Sequence, residues 1–177
     1  MSRLILFSGG VESTALLTKA KKDDIVMTIR DTSPEDYYTY HPNRVEEVAK
    51  AMNVKIQYTD IKIPIHREDF VYQLWTFIPI SIMWASRFPS IQEVWYGLNN
   101  KEPSTLPVVQ DSFDRCVKIW KVAFPNVTLK FPLRHLSKEQ QWKMIPKHVQ
   151  PLITTCLYNT FCGKCRKCLE LKNLRSK

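Results

Sequence analysis

Leu4-Ile5-Leu6-Phe7 is an unbroken apolar run, and Ser8-Gly9-Gly10 stops it before Val11-Glu12-Ser13-Thr14-Ala15-Leu16-Leu17 begins. Four consecutive apolar residues closed by glycines read as a strand buried on both faces, the form found in parallel sheets covered by helices on either side. A helix is expected next, capped by Ser13 or a neighbour, with Ala15, Leu16, Leu17 and Ala20 facing inward before Lys21-Lys22-Asp23-Asp24 returns the chain to water. The alternation then repeats. Ile25 to Ile29 reads as a second strand, Val45, Val48, Ala49 and Met52 recur at helical spacing, and Val54 to Tyr58 alternates as a third strand. Val94-Trp95-Tyr96, ending at Gly97, and the alternating Val127, Leu129 and Phe131 supply a fourth and a fifth. The expected fold is a doubly wound α/β domain: a mainly parallel five-stranded sheet with helices on both faces, followed by a C-terminal loop and helix that carry a cluster of cysteines.

Between the later strands, Pro79 divides Phe70 to Arg87 into two helical pieces, because proline lacks the amide that a helix interior needs. Phe113, Cys116, Val117 and Trp120 form one helical face, which makes Cys116 a small core residue. Ser137-Lys138-Glu139-Gln140 fits a capping box opening a short helix that Pro146 ends. The organisation expected is a nucleotide-binding core over 1–132, with 133–177 as a helical, cysteine-bearing segment packed on the same domain.

The chain has 177 residues, 44% of them hydrophobic, enough for one sizeable core. No apolar run reaches membrane-spanning length, since Gln73, Thr76, Pro79 and Ser81 interrupt the richest stretch. No secretory leader is recognisable, so a cytoplasmic protein without membrane contact is expected. The net charge of +9 favours polyanionic partners, and Lys164, Arg166, Lys167, Lys172, Arg175 and Lys177 against the single acid Glu170 concentrate the excess at the C-terminus. That end is either a solvated helix or a phosphate-binding surface.

A buried strand that turns through Ser-Gly-Gly directly into a helix gathers backbone amides at a positive helix end, where phosphate binds favourably. Ser8, Ser13 and Thr14 add hydroxyls, and Glu12 could hold magnesium or orient a ligand. An ordinary glycine turn is the competing reading of Gly9 and Gly10 alone. The string is not a Walker motif, because it has neither the four-residue spacing nor the lysine. Ser8-Gly9-Gly10-Val11-Glu12-Ser13 resembles the Ser-Gly-Gly-x-Asp-Ser signature of the PP-loop ATP pyrophosphatases, which adenylylate a substrate and release pyrophosphate. Glu12 stands where that family has aspartate. The resemblance implies that Ser8, Gly9, Gly10, Val11, Glu12, Ser13 and Thr14 hold ATP.

Cys156, Cys162, Cys165 and Cys168 offer four soft ligands, the last three in two overlapping C-x-x-C turns. A closed tetrahedral zinc site fits them, with an iron–sulfur cluster or a redox thiol pair as alternatives. The order Pro132-Leu133, Leu136-Ser137-Lys138-Glu139, Pro151 to Tyr158 and Cys162-Gly163-Lys164-Cys165-Arg166-Lys167-Cys168 is similar to the 7-cyano-7-deazaguanine synthases. That resemblance implies ATP-dependent conversion of 7-carboxy-7-deazaguanine and ammonia to a nitrile, through an adenylylated carboxylate and an amide.

The middle of the chain departs from that family. Ile80-Ser81-Ile82 follows Pro79 where Gly-Arg-Asn is usual, Leu98-Asn99-Asn100-Lys101-Glu102-Pro103-Ser104-Thr105 replaces an acidic, aromatic stretch, and His41-Pro42-Asn43-Arg44 stands at Gln-Arg-His. Arg44, Asn99 and Lys101 are the candidate substrate contacts; no catalytic residue is assigned. The partners implied are a deazapurine carboxylate and ammonia, with homodimerisation allowed. A tRNA-modifying enzyme and a catalytically silent nucleotide-binding module are the other readings, tRNA binding being the less favoured partner since no separate RNA-binding domain is expected.

Overall fold

The computed structural model describes residues 2–31, 42–62, 70–101, 107–155 and 162–176. Five strands, β1 (Ser2–Leu6), β2 (Ile25–Asp31), β3 (Ile56–Ile61), β4 (Ile91–Trp95) and β5 (Thr128–Lys130), form one sheet in the order β3-β2-β1-β4-β5. Every pairing is parallel, and Ile5 of the central strand lies opposite Val26 on one side and Trp95 on the other. The chain winds outward from β1 to β3, then crosses back to β4. The winding direction therefore reverses between β1 and β4, where the carboxyl ends of neighbouring strands diverge into a crevice.

Successive residues of a strand point to opposite faces, and each face has its own core. Ile5, Phe7 and Val26 pack with α1 (Val11–Leu17), α2 (Pro42–Ala51), α5 (Lys138–Met144) and α6 (Arg166–Arg175). Leu4, Leu6, Met27 and Val94 pack with α3 (Phe70–Ala85) and α4 (Pro107–Ala123). Leu133, Trp142, Ile145, Val149, Ile153, Leu171 and Leu174 share the first cluster with Val11 and Leu16, so the C-terminal elements complete the cover over α1.

Three local expectations change. Helix α3 runs unbroken through Pro79, because Ile78, Ile82 and Ala85 on both sides of it are buried against the same face of the sheet. Their burial outweighs the roughly 3 kcal/mol that an internal proline costs. Strand β3 starts at Ile56 rather than Val54, since Asn53 takes a left-handed conformation (φ 54°) and Val54 N donates to Ala49 O at 3.0 Å. That bond closes the end of α2 and consumes the residues before the strand. Asp24 turns inward rather than to water: its carboxylate accepts from the Arg3 guanidinium and from the backbone N–H of Lys21. The capping box is present, with Gln140 N donating to Ser137 Oγ and Ser137 N to Gln140 Oε1. Among the described residues, no helix is long and apolar enough to cross a membrane.

Candidate functional site

The turn after β1 is stitched by the residues that spell it. Gly9 has φ +75°, where a side chain is strained, and a Cβ there would sit 3.2 Å from Val45 Cγ2 on α2. Ser8 N donates to Ser13 Oγ at 3.2 Å, the two hydroxyls lie 3.2 Å apart, and Ser13 Oγ donates to Gly10 O at 3.2 Å. Ser13 is thus a clamp across the turn and not the cap expected for it. The N-cap is Gly10, which has no side chain to cap with, and the first helical bond is Thr14 N to Gly10 O. The amides ahead of that bond have no helical acceptor. Thr14 is fully buried, and its Oγ1 has no hydrogen-bond partner among the described residues.

The segment leaving β4 is pressed onto this turn. A Cβ at Gly97 would lie 2.7 Å from Glu12 C, 2.8 Å from Glu12 O and 2.9 Å from Ser13 N, so only glycine permits the approach. Two residues on, buried Asn99 donates from Nδ2 to Glu12 Oε1 at 3.1 Å, and its Oδ1 accepts from Lys101 N at 2.8 Å. Gln141, fully buried on α5, donates to Leu98 O and Leu133 O, which fixes the loop from beneath. The glycine turn therefore occupies the reversal point of the sheet, walled by the β4 exit.

Glu12 is the electrostatic centre. Lys138 Nζ lies 3.0 Å from Glu12 Oε1 and 3.0 Å from Glu170 Oε2, and the three side chains are largely withdrawn from solvent. Burial alone would raise the Glu12 pKa. Lys138, with Lys167 behind it, more than offsets burial and holds the carboxyl below its usual value. The two carboxylates likewise raise the Lys138 pKa above an ordinary lysine's despite desolvation, and the Glu170 carboxyl is held low against its own burial by Lys138, Lys167 and Arg166. All three groups stay charged at neutral pH.

At the start of α6, Cys162, Cys165 and Cys168 bring their Sγ atoms within 4.8 Å of one another, with Cys162 and Cys168 at 3.8 Å. Four thiolates at about 2.3 Å around a tetrahedral zinc are spaced about 3.8 Å apart. Cys165 N and Cys168 N point at the sulfurs of Cys162 and Cys165 at 3.3 and 3.4 Å, bonds that stabilise thiolates. The donor set suits zinc. Cys156 lies outside the described residues, while its predecessor Thr155 donates from Oγ1 to Lys167 O at 2.9 Å.

The fold has a solved counterpart. A 4-thiouridine synthetase, crystallised in complex with RNA and with bound ATP, superposes with a TM-score of 0.51 at 12% identity, over 99% of this chain. The match spans 50% of that synthetase's chain. At this identity the likeness is one of fold. No protein-family model matches the chain, and no curated protein does.

Ser8 to Thr14 form one continuous turn, and Asn99 joins it through Glu12. Lys101 is exposed and meets the group through its backbone. Arg44 belongs to the helix whose Val45 touches Gly9, but its Nη1 donates to Thr154 Oγ1 at 3.0 Å. Glu102 to Thr105 and His41 lie outside the described residues. Sequence reasoning missed Gly97, Lys138, Gln141 and Glu170 as site builders. Lys138 falls both in the capping box and in the Leu136 to Glu139 stretch of the family resemblance, neither of which marks it as a partner of Glu12; nothing in the sequence marks Gln141 or Glu170.

Proposed function

We propose that this chain is an ATP-using enzyme of the PP-loop pyrophosphatase type that adenylylates a carboxylate, with 7-carboxy-7-deazaguanine or a close relative as substrate and ammonia as acceptor. The observation that carries the reading is the close contact of Gly97 with Glu12 and Ser13. It supports a site at the sheet's reversal point, where an uncapped helix start and the unpartnered Thr14 hydroxyl are left for a ligand.

In this mechanism the turn's amides, with the hydroxyls of Ser8 and Thr14, hold the phosphate chain of ATP. Lys138 neutralises Glu12, which otherwise repels the polyphosphate. A carboxylate oxygen of the substrate attacks the α-phosphorus, and pyrophosphate leaves. Ammonia then displaces AMP to give the amide; the amide oxygen attacks the α-phosphorus of a second ATP, a second pyrophosphate leaves, and loss of AMP with the two nitrogen protons gives the nitrile. Arg44, Asn99 and Lys101 bound the space in which the carboxylate is placed. Glu12, whose Oε1 is tied to Lys138 and Asn99, is the carboxylate that would hold a magnesium ion brought with ATP, which would supply charge neutralisation to the phosphates. Zinc, held by Cys162, Cys165, Cys168 and Cys156, closes the C-terminal segment and takes no part in the chemistry.

Incubation with ATP, ammonium and 7-carboxy-7-deazaguanine should release pyrophosphate and AMP and yield a product of the amide or nitrile mass. ATP turnover that never depends on the carboxylate removes the reading; tight ATP binding without turnover leaves a silent nucleotide-binding module.

The RNA complex of the structural counterpart favours one second reading, a tRNA-modifying enzyme. Lys164, Arg166 and Lys172 are exposed around α6 and could meet phosphates. ATP consumption dependent on tRNA and falling steeply with salt selects it over the first.

A further inference from the structure

Among the described residues, the side chain of Lys138 bridges the helix of the cysteine cluster and the glycine turn. Lys138 opens α5 directly behind the Ser137 cap, which fixes where its stem begins. From there Nζ reaches Glu12 Oε1 on the turn and Glu170 Oε2 on α6, each at 3.0 Å. Glu170 belongs to the first half of the helix that starts at Cys165 and carries Cys168. Lys167, between the two cysteines, contributes positive charge at Glu12 as well. On the opposite side of Glu170, Arg166 Nε donates to Oε1 at 2.9 Å, so this carboxylate is held in place from both directions.

We infer that Lys138 is a positioning residue that links metal occupancy of the cysteine cluster to polyphosphate affinity at the glycine turn. The inference rests on the proposed nucleotide and zinc sites, and adds to them a coupling that neither requires. An occupied cluster fixes the start of α6, and Glu170 then holds the Lys138 ammonium against Glu12. With the cluster empty, Leu171 and Leu174 still hold the later turns of α6 in the core, but its first turn is less firmly fixed, so Glu170 holds the ammonium less tightly and Lys167 shifts with that turn. Glu12 then presents less-compensated negative charge to an incoming polyphosphate. The coupling is positive: metal strengthens nucleotide binding, and by reciprocity nucleotide strengthens metal binding by the same factor.

The test uses the full-length protein and reads both affinities without turnover. ATP affinity is measured by calorimetry on zinc-loaded and chelator-stripped protein, and zinc affinity by competition with a chromophoric chelator, with and without saturating ATP. In the unaltered protein each ligand should tighten the other by about tenfold. Glu170→Gln, which leaves the Lys138 to Glu12 contact in place, should still bind both ligands but lower the mutual factor to about twofold or less. Lys138→Arg, whose fork can span both carboxylates, should keep most of it. Independent binding in the unaltered protein, or a factor unchanged in Glu170→Gln, overturns the inference while leaving both sites standing. Absence of ATP binding altogether overturns the proposed function, and the inference with it.

Discussion

The glycine turn and the cysteine cluster are both short, glycine-containing bends at the head of a helix, yet they owe their shapes to different things. At Gly9 the neighbouring helix comes within van der Waals contact, at Gly97 the β4 exit comes closer still, and Ser13 clamps the turn from inside. Gly163, in the cluster, also has a positive φ of +68°, but a Cβ there would meet nothing within 4 Å. The turn is shaped by the packed sheet around it, whereas the cluster is shaped by the N–H···S bonds of its own bend, by the seating of Cys168 on α6 and by the Thr155 bond to Lys167 O. A bend of the first kind is organised before its ligand arrives. A bend of the second kind would be completed by the ion we propose for it.

Lys138 belongs to both regions, and its loss should be the costliest single change. Lys138→Met leaves Glu12 charged and mostly buried without its ion partner, so chemical unfolding should register a loss of about 3 kcal/mol. Adding Glu12→Gln should recover much of it; a double variant no better than the single would break the claim that charge, rather than packing, is at stake. Gly97→Ala tests the turn alone. The added carbon must push apart backbone that cannot rotate away, for about 2 kcal/mol and a marked loss of ATP affinity, with zinc affinity nearly unchanged. Equal damage to zinc binding would erase the distinction between the two bends. Ser137→Ala, which removes the capping hydroxyl beneath Lys138, should cost about 1 kcal/mol in the same unfolding assay.

Acid and base should sharpen the picture through the same three side chains. The pKa values of Glu12 and Glu170 are depressed in the fold, so their stabilisation is complete above the ordinary carboxylate range and is lost as pH falls through their lowered values. Asp24, held low by Arg3 against its own burial, contributes to the same acid limb. The raised pKa of Lys138 works in the other direction. Its contribution is complete below the ordinary lysine value and declines as pH rises beyond it. Thermal melts should therefore show a plateau between an acid and an alkaline fall, with a shallower acid limb in Glu12→Gln.

The sheet was legible because its strands announce themselves: Leu4 to Phe7 and Ile25 to Ile29 are apolar runs of a kind that buried parallel strands require. The turn from Ser8 to Thr14 was legible for another reason, since its geometry is written in contiguous residues. Pro79 misled because its local cost is visible in sequence, while the burial of Ile78 and Ile82 that offsets it appears only when the helix meets the sheet. Gly97, Lys138, Gln141 and Glu170 come from distant parts of the chain and converge on the turn only through the winding order. No local pattern encodes that convergence. The cysteines stand between these cases, with spacing that suits a metal while Thr155 and α6 do the placing of Cys162, Cys165 and Cys168.

The most direct measurement is an ATP titration followed residue by residue through backbone amide resonances. The account predicts saturable shifts concentrated at Gly9 to Thr14 and at Gly97 to Asn99. Saturating ATP that leaves those amides unmoved, or moves only the basic residues of α6, would contradict it.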